Sequence, residues 1–425
     1  MFTTKAPWFS NCLRATLRRT IATDLTRMSC SVDAAPLGQK RPQDDAVDDA
    51  DAKKAKTEFQ RVKRKKSAIL ICYNGKGYLG LQRNPGRKTI EEDLLAAWLK
   101  VGVVTDEIYN NPRAIDFQRA ARTDKGVSAV RQILSAKLPS EVDIEAVNDQ
   151  LPEQIRMVAV KRATKGFNSK GNADARTYSY MMPSFALKAE DDPVVSIEYR
   201  ISQAVLDRAN QVLGLYLGTH NFHNFTSKKH FVDPSANRFI ISAKCSEPEI
   251  CEGMEFVTVY IKGQSFMLHQ IRKMVGLAIA VVRGVADESV ISKAWEEDKL
   301  DIPIAPGLGL VLEEVHYDRY NQRYGSDGMH DSIEWSNEKE FLDEFKRKHI
   351  LSSIVQTEKE ENSMITWLES LSMHTFDVRL RHRNTADDDD DDETDETKTT
   401  DDVKSRVEEN GNSPGPTGKT DEAKS

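Results

Sequence analysis

Strand-like and helix-like segments alternate twice along the middle of this chain, in a similar order each time. The first set opens with SAILICY (67–73), an apolar run typical of a buried strand, and continues with TIEEDLLAAWLKVG (89–102), whose apolar residues recur at helical spacing. This periodicity predicts strands over 67–73, 130–138, 155–162, 176–182, 238–245 and 254–262. It predicts helices over 89–102, 144–150, 202–216, 265–283, 336–347 and 349–370. Because the order repeats, we expect an α+β fold built from two related halves.

The helix predicted over 89–102 carries the clearest local signals. Thr89 and Glu92 have the spacing of a capping box, in which each side chain binds the backbone N–H of the other residue. The apolar stripe that should face the core consists of Ile90, Leu94, Ala97 and Trp98.

Both ends of the chain have a composition that opposes folding. The N-terminal segment is polar and rich in basic residues, and the C-terminal segment contains an unbroken acidic run from Asp387 to Asp392. Such segments bury too little apolar surface to offset the entropy of ordering, so we expect both to be disordered. The predicted organisation is a basic targeting region (1–66), an N-terminal half (67–200), a C-terminal half (201–335), a helical extension (336–383) and an acidic tail (384–425).

The first thirty residues favour a targeting function. They are rich in Arg, Ser and Thr and contain a single acid, Asp24. Leu13, Leu17 and Ile21 recur at helical spacing, and this combination is typical of a mitochondrial transit peptide. Translation from Met28 would produce a chain without this segment, so we expect both mitochondrial and nuclear forms.

Clusters of basic residues follow at 40–41, 53–56 and 61–66, and they suit either nuclear import or contact with RNA. A solvated tail is the simpler interpretation of such runs. The net charge of −7 does not indicate a nucleic-acid partner, which would require a local basic groove. No apolar stretch is long enough for a membrane helix, so no membrane partner is expected.

The cysteines and histidines do not predict a disulfide framework or a metal site. The five cysteines include no C-x-x-C pair, so we expect reduced intracellular thiols. His220 and His223 are three residues apart and have the spacing of metal ligands. No third ligand accompanies them, and we therefore expect a structural role.

The segment ARTDKGVSAV (121–130) places one acid, Asp124, among the cations Arg122 and Lys125. One interpretation is an ordinary turn, because Asp and Gly126 are common turn residues. The other is a catalytic carboxylate that neighbouring cations hold in its ionised form.

The helix predicted over 265–283 has two distinct faces. One face is apolar, and the other contains Ser265, His269, Arg272 and Gly276 at intervals of four, three and four residues. Gly276 would allow a second backbone to approach closely. This makes Arg272 a better candidate for a cleft than for a solvated surface charge.

Five segments together resemble motifs of the tRNA pseudouridine synthase A family, in the order in which that family carries them. They are YNGKGYLGLQR (73–83), ARTDKGVSA (121–129), GFNSKGNADARTYSY (166–180), GQSFMLHQIRKMVG (263–276) and APGLGLVLE (305–313). The variants at 168–170, 218–226 and 269–276 are most similar to the eukaryotic branch, which has nuclear and mitochondrial forms. The chain departs from bacterial members at Ala120, Ser128 and Lys170, positions that affect RNA contacts more than chemistry.

The resemblance implies a pseudouridine synthase fold, with two ferredoxin-like α+β halves and mostly antiparallel sheets around a central RNA-binding cleft. It implies that Asp124 is the nucleophile, that Tyr178 packs on the target base, and that Arg272 pairs with the aspartate. The expected reaction converts uridine to pseudouridine in tRNA, with snRNA and mRNA as further substrates. Nothing is oxidised or reduced, so no cofactor and no metal are expected. We also expect a monomer.

The chemistry fits these residue types. Burial alone would raise the pKa of Asp124, and the guanidinium of Arg272, with Arg122 as a second cation, would oppose that rise. Whether the carboxylate attacks C1′, adds to the ring or first deprotonates the sugar stays open. A uridine inside a stem is unreachable, so it must be flipped out and stacked on a ring, here Tyr178. The cations expected to contact RNA are Lys125, Lys170, Arg176, Lys228, Lys229, Arg238, His269 and Lys273.

Two other functions are compatible with parts of the sequence. The glycine-rich YNGKGYLG could serve phosphoryl transfer, although the phosphate-binding motif G-x-x-x-x-G-K-[ST] is absent. A non-catalytic RNA-binding protein of the same fold would need the basic tracts and aromatic residues but not Asp124. Separately from these alternatives, the helical stretch over 349–370 is a candidate eukaryotic addition that clasps RNA.

Overall fold

The computed structural model describes residues 63–192, 196–227 and 229–378. The expectations for the transit peptide, for Met28, for the basic clusters up to residue 62 and for the acidic tail fall outside these residues. Among the described residues, no helix has both the length and the apolar composition that a membrane crossing requires.

The described residues form one large sheet whose strands are antiparallel to their neighbours with one exception. Its strands are β1 (Arg64–Tyr73), β2 (Gln118–Arg119), β3 (Ser128–Pro139), β4 (Ile155–Arg162), β5 (Ala175–Pro183), β6 (Gly218–Asn221), β7 (Asn237–Cys245), β8 (Glu249–Cys251), β9 (Met254–Gly263) and β10 (Leu310–His316). The main order is β4-β1-β3-β10-β5-β9-β7-β6, and β2 pairs with β3 and β8 with β9. The exception is the parallel pairing of β10 with β3.

The helices lie between these strands and after them. They are α1 (Ile90–Lys100), α2 (Asp106–Asn110), α3 (Ile144–Asp149), α4 (Gln203–Gly214), α5 (Gln270–Arg283), α6 (Ser289–Lys293), α7 (Asp318–Tyr324), α8 (Lys339–Phe345), α9 (Ser352–Glu361) and α10 (Ser363–Leu371). A π-helical segment, Lys346–Leu351, connects α8 to α9. Together the strands and helices confirm the expected α+β class with a mostly antiparallel sheet.

All six predicted strands are present in the sheet as β1, β3, β4, β5, β7 and β9. Periodicity did not predict the short strands β2, β6 and β8, nor β10, which lies between β3 and β5. Its parallel contact with β3 consists of the pairs Val311–Ser128 and Leu312–Ala129. On its other side it pairs antiparallel with β5, where Leu312 lies opposite Tyr178. This strand therefore connects the elements before residue 200 to those after it.

The predicted capping box at α1 is wrong, whereas the predicted apolar stripe is confirmed. Thr89 does occupy the N-cap with an extended backbone, but its buried hydroxyl has no hydrogen-bond partner among the described residues. The carboxylate of Glu92 binds the side chains of Arg83 and Tyr109 and does not return to the cap. The residues of the stripe are all buried, namely Ile90, Leu94, Ala97 and Trp98.

The predicted start of the helix over 265–283 is also wrong, because α5 begins at Gln270. His269 is its N-cap and has a left-handed backbone, with φ of 58°. A right-handed helix cannot run through such a residue. Ser265 therefore lies in the connection from β9 and does not share a helical face with Arg272.

The expected close approach at Gly276 is confirmed. A Cβ built on Gly276 would lie 2.6 Å from the carbonyl oxygen of Pro303, which is shorter than real contacts allow. Residues 303–305 therefore pack directly on the backbone of α5, next to Arg272.

The C-terminal helices contact several parts of the sheet. Lys346 forms an ion pair of 2.6 Å with Glu313 of β10. The Nδ2 group of Asn74, just after β1, donates to the carbonyl of His349 at 2.7 Å, and Lys76 Nζ contacts Thr357 Oγ1 at the same distance. The extension thus binds the protein at the end of β1 and at β10.

Replacing Gly276 with Ala should lower the free energy of unfolding by about 1–3 kcal/mol, because the added methyl group must displace the Pro303 backbone. Urea unfolding measures the change. Gly214→Ala is the matched control in α4, since its Cβ meets nothing within 4 Å. It should be neutral or stabilising by up to about 1 kcal/mol. Equal effects of the two variants would contradict the close approach.

Glu358 should make stability depend on pH. Its carboxylate is buried and accepts from the Met364 N–H at 2.9 Å. Burial raises the pKa of Glu358 to about 7, an effect that the Met364 N–H opposes and the charge of Glu361 reinforces. The folded state therefore keeps this proton to higher pH than the unfolded chain, whose glutamates have a pKa of about 4.3.

Relative to Glu358→Gln, the wild-type protein should lose about 2 kcal/mol of unfolding free energy as the pH rises from about 4.5 to 7.5. Urea unfolding at several pH values measures the difference between the two proteins. Glu360→Gln, at an exposed position of the same helix, is the control for replacing a glutamate there. A difference for Glu358→Gln that does not change with pH would contradict the prediction.

Candidate active site

Asp124 lies in a tight turn that leads into β3. The N–H of Val127 donates to the Asp124 carbonyl at 3.1 Å, and Gly126 has φ of 75°, which favours glycine. The side chain of Asp124 is half-buried, whereas Lys125 is exposed. The turn interpretation and the catalytic interpretation of this segment are therefore compatible, because the turn presents the acid.

The glycine-rich segment after β1 holds this turn from the other side. The N–H of Leu81 donates to the Thr123 carbonyl at 3.1 Å, and the N–H of Gly126 donates to the Tyr78 carbonyl at 3.1 Å. A Cβ on Gly80 would lie 2.7 Å from the Thr123 oxygen, and one on Gly75 would lie 2.3 Å from the Val127 oxygen. The glycines are thus explained by backbone-to-backbone packing and not by a phosphate loop.

Tyr178 lies on β5, close to Asp124. Its ring is buried and meets the ring of Phe266 edge-on, with the centroids 5.3 Å apart. Burial raises the pKa of Tyr178, the charge of Arg176 lowers it, and the negative charge of Asp124 raises it further. The phenol therefore stays neutral at physiological pH and lies within electrostatic range of the carboxylate.

Arg272 is in the first turn of α5 and is fixed by the segment that precedes β10. Its Nε donates to the Ala305 carbonyl at 2.7 Å, and the Ala305 N–H donates to the Arg272 carbonyl at 3.2 Å. A Cβ on Gly307 would lie 3.8 Å from the guanidinium carbon of Arg272 and 3.9 Å from the Lys125 carbonyl oxygen. The guanidinium and the turn that carries Asp124 therefore flank the same glycine.

Tyr180 fills the space beside this contact, as expected for a core tyrosine. It is 1% exposed, and its hydroxyl donates to the Pro306 carbonyl at 2.7 Å. Burial raises the pKa of Tyr180, and the charge of Arg272 lowers it. The structure thus brings the Asp124 turn, Tyr178 and Arg272 to one region where β3, β5 and β10 meet.

Arg122 is exposed and acts on a different neighbour. Burial raises the pKa of Glu91 on α1, and the charges of Arg119 and Arg122 oppose that rise. Glu91 is 1% exposed and forms an ion pair with Arg119. Arg122 is therefore near the start of α1, where it acts electrostatically on Glu91.

The cations expected at the RNA surface have varied surroundings. Arg176 donates to the carbonyls of Gln264, Ala120 and Lys170 at 2.9–3.1 Å, so its guanidinium holds three loops together. Lys170 is exposed. Lys273 Nζ donates to the Asn224 carbonyl at 3.2 Å.

Lys229 lies in the turn before β7, and Arg238 lies on β7. Lys229 pairs with Asp233 at 2.7 Å. Arg238 is half-buried, and burial lowers its pKa. His269 caps α5 in the left-handed conformation described above. Lys228 lies outside the described residues.

Sequence patterns did not single out two buried polar residues behind the turn. Tyr73 and Gln132 are both 0% exposed. The Tyr73 hydroxyl is 2.7 Å from Thr123 Oγ1, and Gln132 binds both backbone groups of Ala121. Tyr73 opens the motif YNGKGYLGLQR, but the resemblance implied no role for it, and Gln132 follows Arg131 in β3, so no local pattern marked it as buried.

His220 and His223 pack within the protein. The His220 ring stacks on Trp295 with the centroids 4.6 Å apart, and its Nε2 is 2.8 Å from the Leu217 carbonyl oxygen. His223 is buried. Within the described ranges, no group of three His, Cys, Asp or Glu residues could hold a metal ion.

Comparisons with known proteins agree on one family. A family model described as tRNA pseudouridine synthase matches residues 213–318. The chain is 48% identical over 321 residues to the Pseudouridylate synthase 1 homolog of Mus musculus, covering 75% of this chain and 76% of the mouse protein. The human protein of that name is 50% identical over 312 residues, covering 72% and 73%. The tRNA pseudouridine synthase 1 of Yarrowia lipolytica is 31% identical over 401 residues, covering 75% and 76%.

Gly80→Ala should destabilise the protein by about 2–4 kcal/mol, because the methyl group would meet the Thr123 carbonyl and the backbone has φ of +88°. Gly77→Ala is the matched control, since it has φ of +81° but meets nothing within 4 Å. The control should cost only about 1 kcal/mol of backbone strain. Urea unfolding compares the two, and equal losses would show that the close approach to the turn contributes nothing.

Proposed function

We propose that this chain, which belongs to the tRNA pseudouridine synthase family, converts specific uridines of tRNA to pseudouridine with Asp124 as the nucleophile. The family assignment makes the protein an RNA isomerase. The names of its yeast relatives, which specify tRNA, support the choice of substrate. The observation that carries the assignment of residues is the meeting of the Asp124 turn, Tyr178 and Arg272 around Gly307 and β5.

The reaction breaks the bond between C1′ of the ribose and N1 of uracil and joins C1′ to C5. A carboxylate at the sugar can stabilise or capture the electron-deficient centre while the base turns. This role requires Asp124 to be ionised in a partly buried place. The guanidinium of Arg272 on the other side of Gly307 would favour the ionised form of this carboxylate. Arg122 would add a weaker, solvent-screened contribution.

Tyr178 suits two roles towards the base. Its ring would stack on the flipped uracil, an interaction worth about 1–3 kcal/mol. Phe266 packs edge-on against the ring and keeps it from rotating. Burial raises the pKa of its hydroxyl, so the neutral phenol could take the proton that leaves C5 only by passing its own proton to a neighbouring base.

The surface around the turn suits RNA backbone. Lys125 and Lys170 are both exposed, and they would bind phosphates of the RNA that carries the flipped nucleotide. Arg176 would act indirectly by holding the loops that carry them. Lys228, Lys229, Arg238, His269 and Lys273 would extend the contact along the second half.

We also propose that the fold consists of two related ferredoxin-like halves around a central RNA-binding cleft. The run β1–α1–β2–β3–α3–β4 has the strand order β4-β1-β3-β2, and the run β5–α4–β7–β9–α5–β10 has the order β10-β5-β9-β7. The same order in both runs supports this relationship. It favours a boundary between β4 and β5, earlier in the chain than the predicted division of 67–200 from 201–335, with the extension (336–383) as a separate addition.

Several further properties are proposals that rest on sequence. They are action on snRNA and mRNA, a monomeric state, and nuclear and mitochondrial forms produced from the basic N-terminal region. For the extension, the contacts of Lys346, His349 and Thr357 with the rest of the protein support a bracing role beside any contact with RNA.

Asp124→Ala should abolish isomerisation and leave RNA binding nearly intact. With tRNA tritiated at C5 of uridine, and without ATP or metal, we expect tritium release to fall by at least about a thousandfold. The affinity for tRNA should stay within about threefold, because phosphate contacts dominate binding. Asp149→Asn, an exposed change at the end of α3, is the control and should match the wild type.

The same assay separates the alternatives. Tritium release by the wild type that requires ATP would favour phosphoryl transfer. If the wild type binds tRNA tightly but releases no tritium, a non-catalytic RNA-binding protein is favoured. Release by Asp124→Ala at the wild-type rate would contradict the assignment of the nucleophile.

A further inference from the structure

A buried hydroxyl contact lies directly behind the residue that precedes Asp124. Tyr73 is the last residue of β1 and is 0% exposed. Its hydroxyl is 2.7 Å from Oγ1 of Thr123, which is also buried. Since Thr123 is the chain neighbour of Asp124, this contact fixes the residue from which the candidate nucleophile projects.

A second buried side chain fixes the same segment one residue earlier. Gln132 of β3 donates from Nε2 to the Ala121 carbonyl at 2.9 Å, and its Oε1 accepts from the Ala121 N–H at 3.3 Å. Burial raises the pKa of the Tyr73 hydroxyl, and hydrogen bonds from Thr123 and Gln132 oppose that rise. The Tyr73–Thr123 and Gln132–Ala121 contacts therefore form a cluster of buried polar groups, which holds the backbone at residues 121 and 123.

The cluster also lies close to the site of chemistry. The charge state of Tyr178 acts on the pKa of Tyr73, so the two phenols are within electrostatic range. On the opposite side of the turn, the backbone of Leu81 holds the Thr123 carbonyl. Thr123 is therefore fixed by its side chain through Tyr73 and by its main chain through Leu81.

An apolar pair could fill the same space in the core without any need for matched polar groups. Isolated polar groups in a protein interior are unfavourable, and such networks are retained where they specify one arrangement. In this protein the buried polar contacts would specify the direction in which the turn projects Asp124.

We propose that Tyr73 and Gln132 are positioning residues that aim the Asp124 carboxylate at the ribose through Thr123 and Ala121. The inference rests on the proposed function of Asp124. It concerns residues that do not themselves act on the substrate but set the geometry of the one that does. Small displacements of a reacting group are costly in rate, because catalysis depends on near-attack geometry.

The experiment compares single-turnover rates and KM for tRNA among full-length variants. Tyr73→Phe removes one oxygen atom and should lower kcat by about 10- to 100-fold, with KM within about twofold. Thr123→Val should have a similar effect, whereas Thr123→Ser, which keeps the hydroxyl, should restore a rate near that of the wild type. The double variant Tyr73→Phe with Thr123→Val should be no slower than either single variant, because both remove the same contact.

Tyr317→Phe is the control for losing a buried tyrosine hydroxyl elsewhere. Tyr317 is 1% exposed, and its hydroxyl donates to the Ser169 carbonyl at 2.7 Å. This variant should lose thermal stability much as Tyr73→Phe does and keep kcat within about twofold. If Tyr73→Phe does not fold, the rates of Thr123→Val and Thr123→Ser test the proposal instead. Equal rates for these two variants would contradict it.

Three results would overturn the inference: an unchanged kcat for Tyr73→Phe, rates that follow thermal stability in both tyrosine variants, or multiplicative effects in the double variant. Failure of the proposed function is distinguishable, because Asp124→Ala would then remain active. An inactive Asp124→Ala beside a fully active Tyr73→Phe would reject only the positioning role.

Discussion

The arrangement of the site depends on one close contact between two stretches of backbone. The segment that follows β1 returns over the turn at residues 123–127, and a side chain on Gly75 or Gly80 would occupy the space of the turn's carbonyl oxygens. The two backbone hydrogen bonds from Leu81 and to Tyr78 are possible only at this separation. Because β1 and β3 are neighbours in the sheet, the position of Asp124 follows from the pairing of these strands.

The strand β10 holds Tyr178 and Arg272 near the turn that carries Asp124. This strand pairs with β3 at Ser128, four residues after Asp124, and with β5 at Tyr178. The segment before it packs on α5 at Gly276 and fixes Arg272 through Ala305. One short strand therefore brings an acid, an aromatic ring and a guanidinium together from three distant parts of the chain.

Much of the fold followed from the sequence, and what did not has identifiable physical causes. Apolar residues marked six strands, some of them buried almost throughout, such as β1, and others buried at only a few positions, such as β7. Periodicity did not indicate β10, whose apolar run is short and follows a segment rich in glycine and proline (305–309). It extended α5 too far, because side-chain spacing does not reveal the left-handed backbone of His269. Motif resemblance indicated Asp124, Tyr178 and Arg272, but the support from Gln132 depends on tertiary contacts alone.

The central claim is that one carboxylate, held rigidly at the junction of β3, β5 and β10, acts on the sugar of an extruded uridine. A crystal structure of the protein with a tRNA fragment tests this most directly. The account predicts that the flipped nucleotide has its C1′ within about 3.5 Å of an Asp124 oxygen, the distance of a near-attack geometry, with its base on the Tyr178 ring. A uridine bound with its ribose remote from Asp124, in a complex that still forms pseudouridine, would contradict it.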